Sequence, residues 1–160
     1  MTKSLSPTAL KVQELLRQLG CRSQVIELPD STRTAADAAR ANGCEIGQIA
    51  KSLVFVTRDS CRPVLVITSG ANRVNEKLIG ELLGEPIQKA DADFVRQATG
   101  YAVGGIPPVG HRQEILTFID RDLLQYGEIW AAAGTPNSQF RVAPQELVEI
   151  SGGRVVSVTN

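Results

Sequence analysis

Cysteine and histidine are scarce in this chain. Cys21, Cys44 and Cys61 lie far apart with no CxxC pair, and His111 is the only imidazole. A zinc centre needs about four nitrogen, sulfur or oxygen ligands. These residues could supply them only if the fold gathered all of them, so no metal and no other cofactor is expected. An odd number of cysteines leaves at least one thiol unpaired, which suits a reducing, cytoplasmic setting. Net charge is lacking too: 17 Lys and Arg balance 17 Asp and Glu. Without a global basic field the chain is not built to grip long stretches of nucleic acid, although a local basic patch remains open. No apolar run approaches the roughly 18 residues of a membrane span. The opening MTKSLSPTALKVQELL has no signal-peptide core and reads as helix, so no membrane association is expected. A GxSxG elbow, a Walker A loop and GxGxxG are all missing, which removes the usual signatures of a serine hydrolase and of nucleotide binding.

What is present is ordinary globular material. The 160 residues are 42% hydrophobic and 21% charged, enough for one domain over 1–160 that buries about 70% of its unfolded surface. Ser6-Pro7 predicts a capped helix carrying Val12, Leu15, Leu16 and Leu19, with Gly20 as its stop. A short strand over 23–28 is broken by Pro29-Asp30. Thr34 caps a small-faced helix over 35–41 that Asn42-Gly43 ends. Two β-rich runs, IAKSLVFVT (49–57) and VLVIT (64–68), flank a hairpin loop, RDSCRP. Asn75 caps a helix closed by Gly84, 86–89 reads as a short strand, and 92–98 as a helix ended by Gly100. Strands are expected at 116–119, 128–132, 140–142 and 155–158, with a helix over 144–150. Interleaved helices and several short β-β links predict an α/β fold with a mixed, barrel-like sheet flanked by helices.

Three features carry possible chemistry. Lys51 lies inside a strand that is otherwise apolar on both faces: Ile49, Leu53 and Phe55 share its side, while Ala50, Ser52, Val54 and Val56 take the other. A lysine there either enters a pocket to meet a phosphate or carbonyl oxygen, or runs out to solvent near the strand end. In the loop GYAVGGIPPVGH (100–111), Gly104 and Gly105 let backbone approach a ligand. Their N–H groups could form an oxyanion nest, and Pro107 and Pro108 stiffen the segment; the plain alternative is a connection rich in turn residues. The segment SGANRVNEK (69–77) leaves a strand for a helix. Asn72, Arg73 and Lys77 offer donors to phosphate or ribose, or form a capped turn with a solvated basic face. No cysteine stands in a recognisable nucleophile setting beside His111, so positioning and oxyanion stabilisation are the better-supported routes for an enzyme.

At these residues the chain resembles the YbaK-like family, the editing domains associated with prolyl-tRNA synthetase. The matching segments are TAADAA (34–39), QIAKSLVF (48–55), SGANRVNEK (69–77), TGYAVGGIPPVG (99–110) and AGTPNSQFRVAPQEL (133–147), in the expected order along most of the chain. The resemblance implies a single α/β domain that acts in trans on a mischarged tRNA, hydrolysing the aminoacyl ester at the 3′ acceptor end. It implies a functional role for Lys51 and a loop, Gly104-Gly105-Ile106, whose amides face the aminoacyl carbonyl. Water would attack with help from the terminal ribose hydroxyl, or a cysteinyl substrate would cyclise through its own thiol. Ile106, Pro107, Ser69 and Gln139 are expected to contact substrate, and Asn72, Arg73 and Lys77 to contact tRNA. Gln139 stands where some members carry an acid, which leaves the edited amino acid open among Cys, Ala, Ser and Thr. A synthetase or elongation factor could deliver the tRNA. Two other functions fit the residues: a binding module for aminoacyl or nucleotide-like ligands without hydrolysis, and a small-ester or cysteine-dependent hydrolase.

Overall fold

A computed structural model describes residues 5–29 and 34–160; Asp30, half of the expected Pro29-Asp30 break, and the first four residues lie outside that range. Among the described residues there are five helices: α1 (Pro7–Gln18), α2 (Ala35–Asn42), α3 (Glu76–Leu83), α4 (Ala92–Thr99) and α5 (Pro144–Ser151). The caps read from sequence hold three of them. Ser6 Oγ accepts from the Ala9 amide, Thr34 Oγ1 from Asp37, and Asn75 Oδ1 from Leu78, each worth about 1 kcal/mol.

Eight strands form one mixed sheet: β1 (Val25–Glu27), β2 (Ile49–Thr57), β3 (Pro63–Ser69), β4 (Ile87–Lys89), β5 (Leu116–Asp120), β6 (Ile129–Ala132), β7 (Ser138–Val142) and β8 (Arg154–Val156). The order is β1-β7-β6-β2-β3-β5-β8, with β4 forking off β2. The sequence reading places every helix and strand within a few residues. It does not place two 3-10 turns, Ile46–Gln48 and Arg121–Gln125. The first is signed by a capping box in which the Glu45 amide donates to Gln48 Oε1 at 3.0 Å.

Strand alternation sends the two faces of β2 to different cores. Ala50 and Val54 join the large core with Leu65, Ile67, Ile119 and Phe140 under α1, α4 and α5. Phe55 and Leu53 pack with Ile79 of α3, and Ile49 packs with Ala38 and Ala39 of α2. Burying a side chain such as Phe140 or Leu16 fully contributes about 1.5–3 kcal/mol.

One discontinuity in the sheet matters for the site. The parallel pairing of β2 with β6 lasts only through Ile49↔Trp130 and Ala50↔Ala131, and β4 takes up the same edge of β2 only from Phe55. Between these pairings the strands splay and leave a wedge. Crevices beyond the carboxyl ends of parallel strands are a favoured place for ligands.

Candidate functional site

Lys51 is the first residue of β2 past its last β6 pair. The wedge opens there into a cavity of about 200 Å³. Its walls come from β2 (Ile49 to Leu53), β6 (Trp130, Ala131, Ala132), β7 (Ser138, Gln139), α2 and its cap, and the loop residues Val103, Gly104 and Ile106. Lys51 is half-buried and, among the described residues, is the one charged residue in these walls. Burial, and secondarily the positive Arg73, push its ammonium below the usual lysine range. Neither Lys51 nor Arg73 forms an ion pair among the described residues. Two neighbouring cations without a carboxylate make a place for an anion.

The Gly-Gly loop divides its labour differently from the sequence expectation. The Gly105 amide donates to the Ala102 carbonyl at 3.1 Å, closing a four-residue turn with Gly104 at φ 93 in its third position. That is the signature of a type II turn, whose third residue must take a positive φ. The Gly105 N–H is therefore spent and is not a free donor. The Gly104 and Ile106 amides have no backbone or side-chain acceptor among the described residues. Gly105 serves close packing instead. Its carbonyl accepts from the Gly134 amide at 2.9 Å, and a Cβ added there would meet the Gly134 and Thr135 backbone at 2.9 Å. Pro107 is buried below the rim, and its carbonyl accepts from His111 Nε2–H at 2.7 Å. Burial pushes the His111 imidazole down against that bond.

Of the expected site residues, Lys51, Gly104, Ile106 and Gln139 come together around the cavity, while Gly105 and Pro107, buried in the same loop, are not among its walls. Ser69 and Asn72 do not reach it. Ser69 Oγ donates to the Gly47 carbonyl at 2.7 Å and its amide donates to Asp120 at 3.0 Å. Asn72 Nδ2 lies 2.8 Å from both Asp120 and Asp122. The Asp120 carboxylate, 1% exposed, also accepts from Thr68 Oγ1 and the Asp122 amide. This network fixes the 69–73 turn and thereby sets Arg73 beside Lys51. Lys77 lies on a separate groove with Arg58, Glu81 and Pro86.

Sequence reasoning missed several cavity residues. Trp130 is half-buried in the wall, with the Arg141 guanidinium 5.7 Å from its ring centre. Ser52 Oγ is buried without a hydrogen-bond partner among the described residues. The alternation of β2 could have suggested Ser52, because it puts a hydroxyl on the large-core face. None of the three cysteines lines the cavity, nor does His111. Among the described residues no cluster of His, Cys, Asp or Glu is placed to hold a metal ion, and no helix is long and apolar enough to cross a membrane.

Comparison with known proteins agrees with this architecture. The family model for the aminoacyl-tRNA editing domain matches residues 29–150. A crystal structure provisionally described as a trans-editing enzyme for prolyl tRNA synthetase superposes with a TM-score of 0.92 and 46% identity, covering 98% of this chain and 99% of that one. An Enterococcus faecalis protein, provisionally named a Cys-tRNA(Pro)/Cys-tRNA(Cys) deacylase, is 26% identical over 127 residues, which is 79% of this chain and 77% of that protein. Proline–tRNA ligase of Limosilactobacillus fermentum is 30% identical over 94 residues, 56% of this chain and 16% of the ligase. With a family match across most of its length and a near-complete structural counterpart, the chain belongs to the aminoacyl-tRNA editing domain family.

Proposed function

We propose that the protein is an aminoacyl-tRNA deacylase that acts in trans, cleaving the ester between a wrong amino acid and the 3′-terminal ribose of a tRNA in the cytoplasm. The observation that carries this reading is that Lys51, Gly104 and Ile106 share the walls of one cavity, with no acceptor for the Gly104 and Ile106 amides among the described residues. At about 200 Å³ the space is below the roughly 300–1,000 Å³ of typical small-molecule sites. It suits the aminoacyl group, with the ribose and its phosphate outside. Lys51 and Arg73 hold the terminal phosphate or the ester carbonyl by charge. As water adds to the ester carbon, the carbonyl oxygen becomes an oxyanion and accepts from the Gly104 and Ile106 N–H groups. Removing one such preorganised donor typically costs about 10²–10³ in rate. The tetrahedral intermediate then collapses. The bond to the ribose oxygen breaks, that oxygen leaves with a proton relayed by the neighbouring ribose hydroxyl, and the free amino acid departs. No protein nucleophile is needed, in keeping with a cavity that no cysteine lines. The partner is the acceptor end of a mischarged tRNA, and a synthetase or elongation factor could deliver it.

Single-turnover deacylation of a panel of mischarged tRNAs tests the reading. Lys51→Ala, folded by circular dichroism, should lose most of its turnover. Saturable binding with no amino acid release would leave a binding module instead, and undiminished release by folded Lys51→Ala would remove the lysine from the mechanism.

A further inference from the structure

One residue in the cavity wall carries polar groups that no other described residue answers. Ser52 lies in the stretch of β2 that neither neighbour covers, since β6 pairs only as far as Ala50 and β4 begins at Phe55. The backbone polar groups of a strand turn to alternate edges from one residue to the next. The Gly70 amide, just past β3, donates to the Ile49 carbonyl at 2.7 Å, so the odd-numbered residues of β2 turn their N–H and C=O toward β3. Ser52 therefore turns its own toward the wedge, where they have no partner among the described residues. Its hydroxyl is orphaned as well. Ser52 Oγ is shut off from water and makes no hydrogen bond, the one side-chain atom of that kind among the described residues. An unpaired buried hydroxyl costs about 1–3 kcal/mol. A turn about Cα–Cβ moves it between staggered wells and breaks no bond.

We infer that Ser52 anchors the α-amino group of the aminoacyl ester, its main-chain carbonyl and its hydroxyl oxygen each accepting one N–H. The inference rests on the hydrolase reading of the same cavity. Every aminoacyl substrate brings this amine, whatever its side chain, and among the described residues no carboxylate stands in the walls to meet it. An α-amino group titrates at about 8, and the neighbouring Lys51 ammonium favours its neutral form. A neutral amine offers two N–H bonds, and Ser52 has a carbonyl and a hydroxyl unused at the gap. The amine then takes the place on the β2 edge that a further residue of β6 would fill. The competing acceptor is Gln139, whose carboxamide keeps a lone pair beyond its reciprocal bonds with Asn42 of α2.

The test pairs the aminoacyl ester that the protein cleaves fastest with the counterpart lacking the α-amine, for example alanyl with propionyl, on one and the same tRNA. Each rate is divided by that ester's rate in buffer, so that intrinsic lability cancels. Wild type should favour the amine-bearing ester by about tenfold or more in kcat/KM. Ser52→Ala keeps the carbonyl and removes the hydroxyl. It should lower kcat/KM for the aminoacyl ester about tenfold, the effect of one buried hydrogen bond, and leave the amine-free ester within about twofold. Ser52→Cys, whose thiol is a weak acceptor, is the second variant should Ser52→Ala fold poorly, and it should move the same rate the same way. An aminoacyl rate within about twofold of wild type in both folded variants would overturn the inference. So would an equal fall for both esters, since the effect would then not pass through the amine. Loss of the wild-type preference in Gln139→Leu would overturn it too, by giving the amine to that carboxamide. Wild-type protein that releases neither acid would overturn the hydrolase reading and this one with it, whereas release without the Ser52 coupling would overturn this inference alone.

Discussion

Gly105→Ala should separate the packing role of the loop from its chemistry. A Cβ at this position would stand 2.9 Å from the Gly134 carbonyl oxygen and from two Thr135 backbone atoms. These are main-chain atoms, held by the Gly134 amide to Gly105 carbonyl bond and by the Ser138 hydroxyl on the Thr135 amide. They cannot swing aside as a side-chain tip would. Restoring ordinary contact needs a displacement of about 0.5 Å, and overpacking of that kind costs about 1–3 kcal/mol. For a domain of this size the melting temperature should fall by about 2–12 °C. The loop is the part free to move, and Gly104 and Ile106 move with it. A misplacement of about 1 Å can cost 10²-fold in rate, so half of that should cost about tenfold in kcat. The control is Gly127→Ala, where a Cβ meets nothing within 4 Å, and which should leave both quantities near wild type. The measurements are a melting curve and single-turnover deacylation. A Gly105→Ala protein that melts lower but deacylates at the wild-type rate would refute the oxyanion role of this loop. One that melts with wild type would refute the close packing.

Lys51 carries two further expectations. Because burial pushes its folded-state pKa down, the unfolded chain binds more protons between the folded value and the ordinary lysine value, and stability rises with pH across that window. The penalty of the buried charge is therefore fully present at neutral pH. Lys51→Met should unfold at a higher denaturant concentration there, by about 1 kcal/mol, with the advantage vanishing at strongly alkaline pH; a less stable Lys51→Met at neutral pH would contradict the unpaired burial. Deacylation above the uncatalysed background should fall on the alkaline side earlier than an ordinary lysine would lose its proton, which a pH–rate profile checks. Arg73→Ala should weaken substrate capture uniformly across amino acids and reduce the slope of log affinity against log salt by about one; an unchanged slope would place the phosphate elsewhere.

Much of this fold was legible because its signals are local. Ser6-Pro7, Thr34 and Asn75 mark helix starts through bonds that reach three residues, and the apolar run 49–57 can only be a central strand. The site was legible in part. Lys51 stood out as a cation in an apolar strand, but whether it entered a pocket depended on where β6 stops pairing, some 80 residues further on. The meaning of Ser69 and Asn72 depended on Asp120, separated from Asn72 by 48 positions. Short polar residues after a strand can serve a ligand or a turn, and a buried carboxylate decides which. The two glycines looked equivalent in sequence. Only the turn geometry, with the positive φ at Gly104, shows that the Gly105 amide is given to the Ala102 carbonyl while the Gly104 amide is not.

The placement of the cation follows from the same discontinuity that makes the cavity. Along the odd-numbered face of β2, Ile49 packs with Ala38 and Ala39 beneath α2, while Leu53 and Phe55 pack with Ile79 beneath α3. Lys51 falls between these two clusters, opposite Thr68 on β3 and past the end of β6 on the other side. Two residues earlier, at the buried position of Ile49, an ammonium would sit in an apolar cluster under α2. At position 51 the charge is half-desolvated: enough to strengthen its pull on an anion, and open enough to survive without a partner. On the proposed function a substrate phosphate or carbonyl would supply the missing counterpart, so the unpaired lysine and the splayed strands belong together. Extending the β2–β6 pairing by a single residue pair would close both.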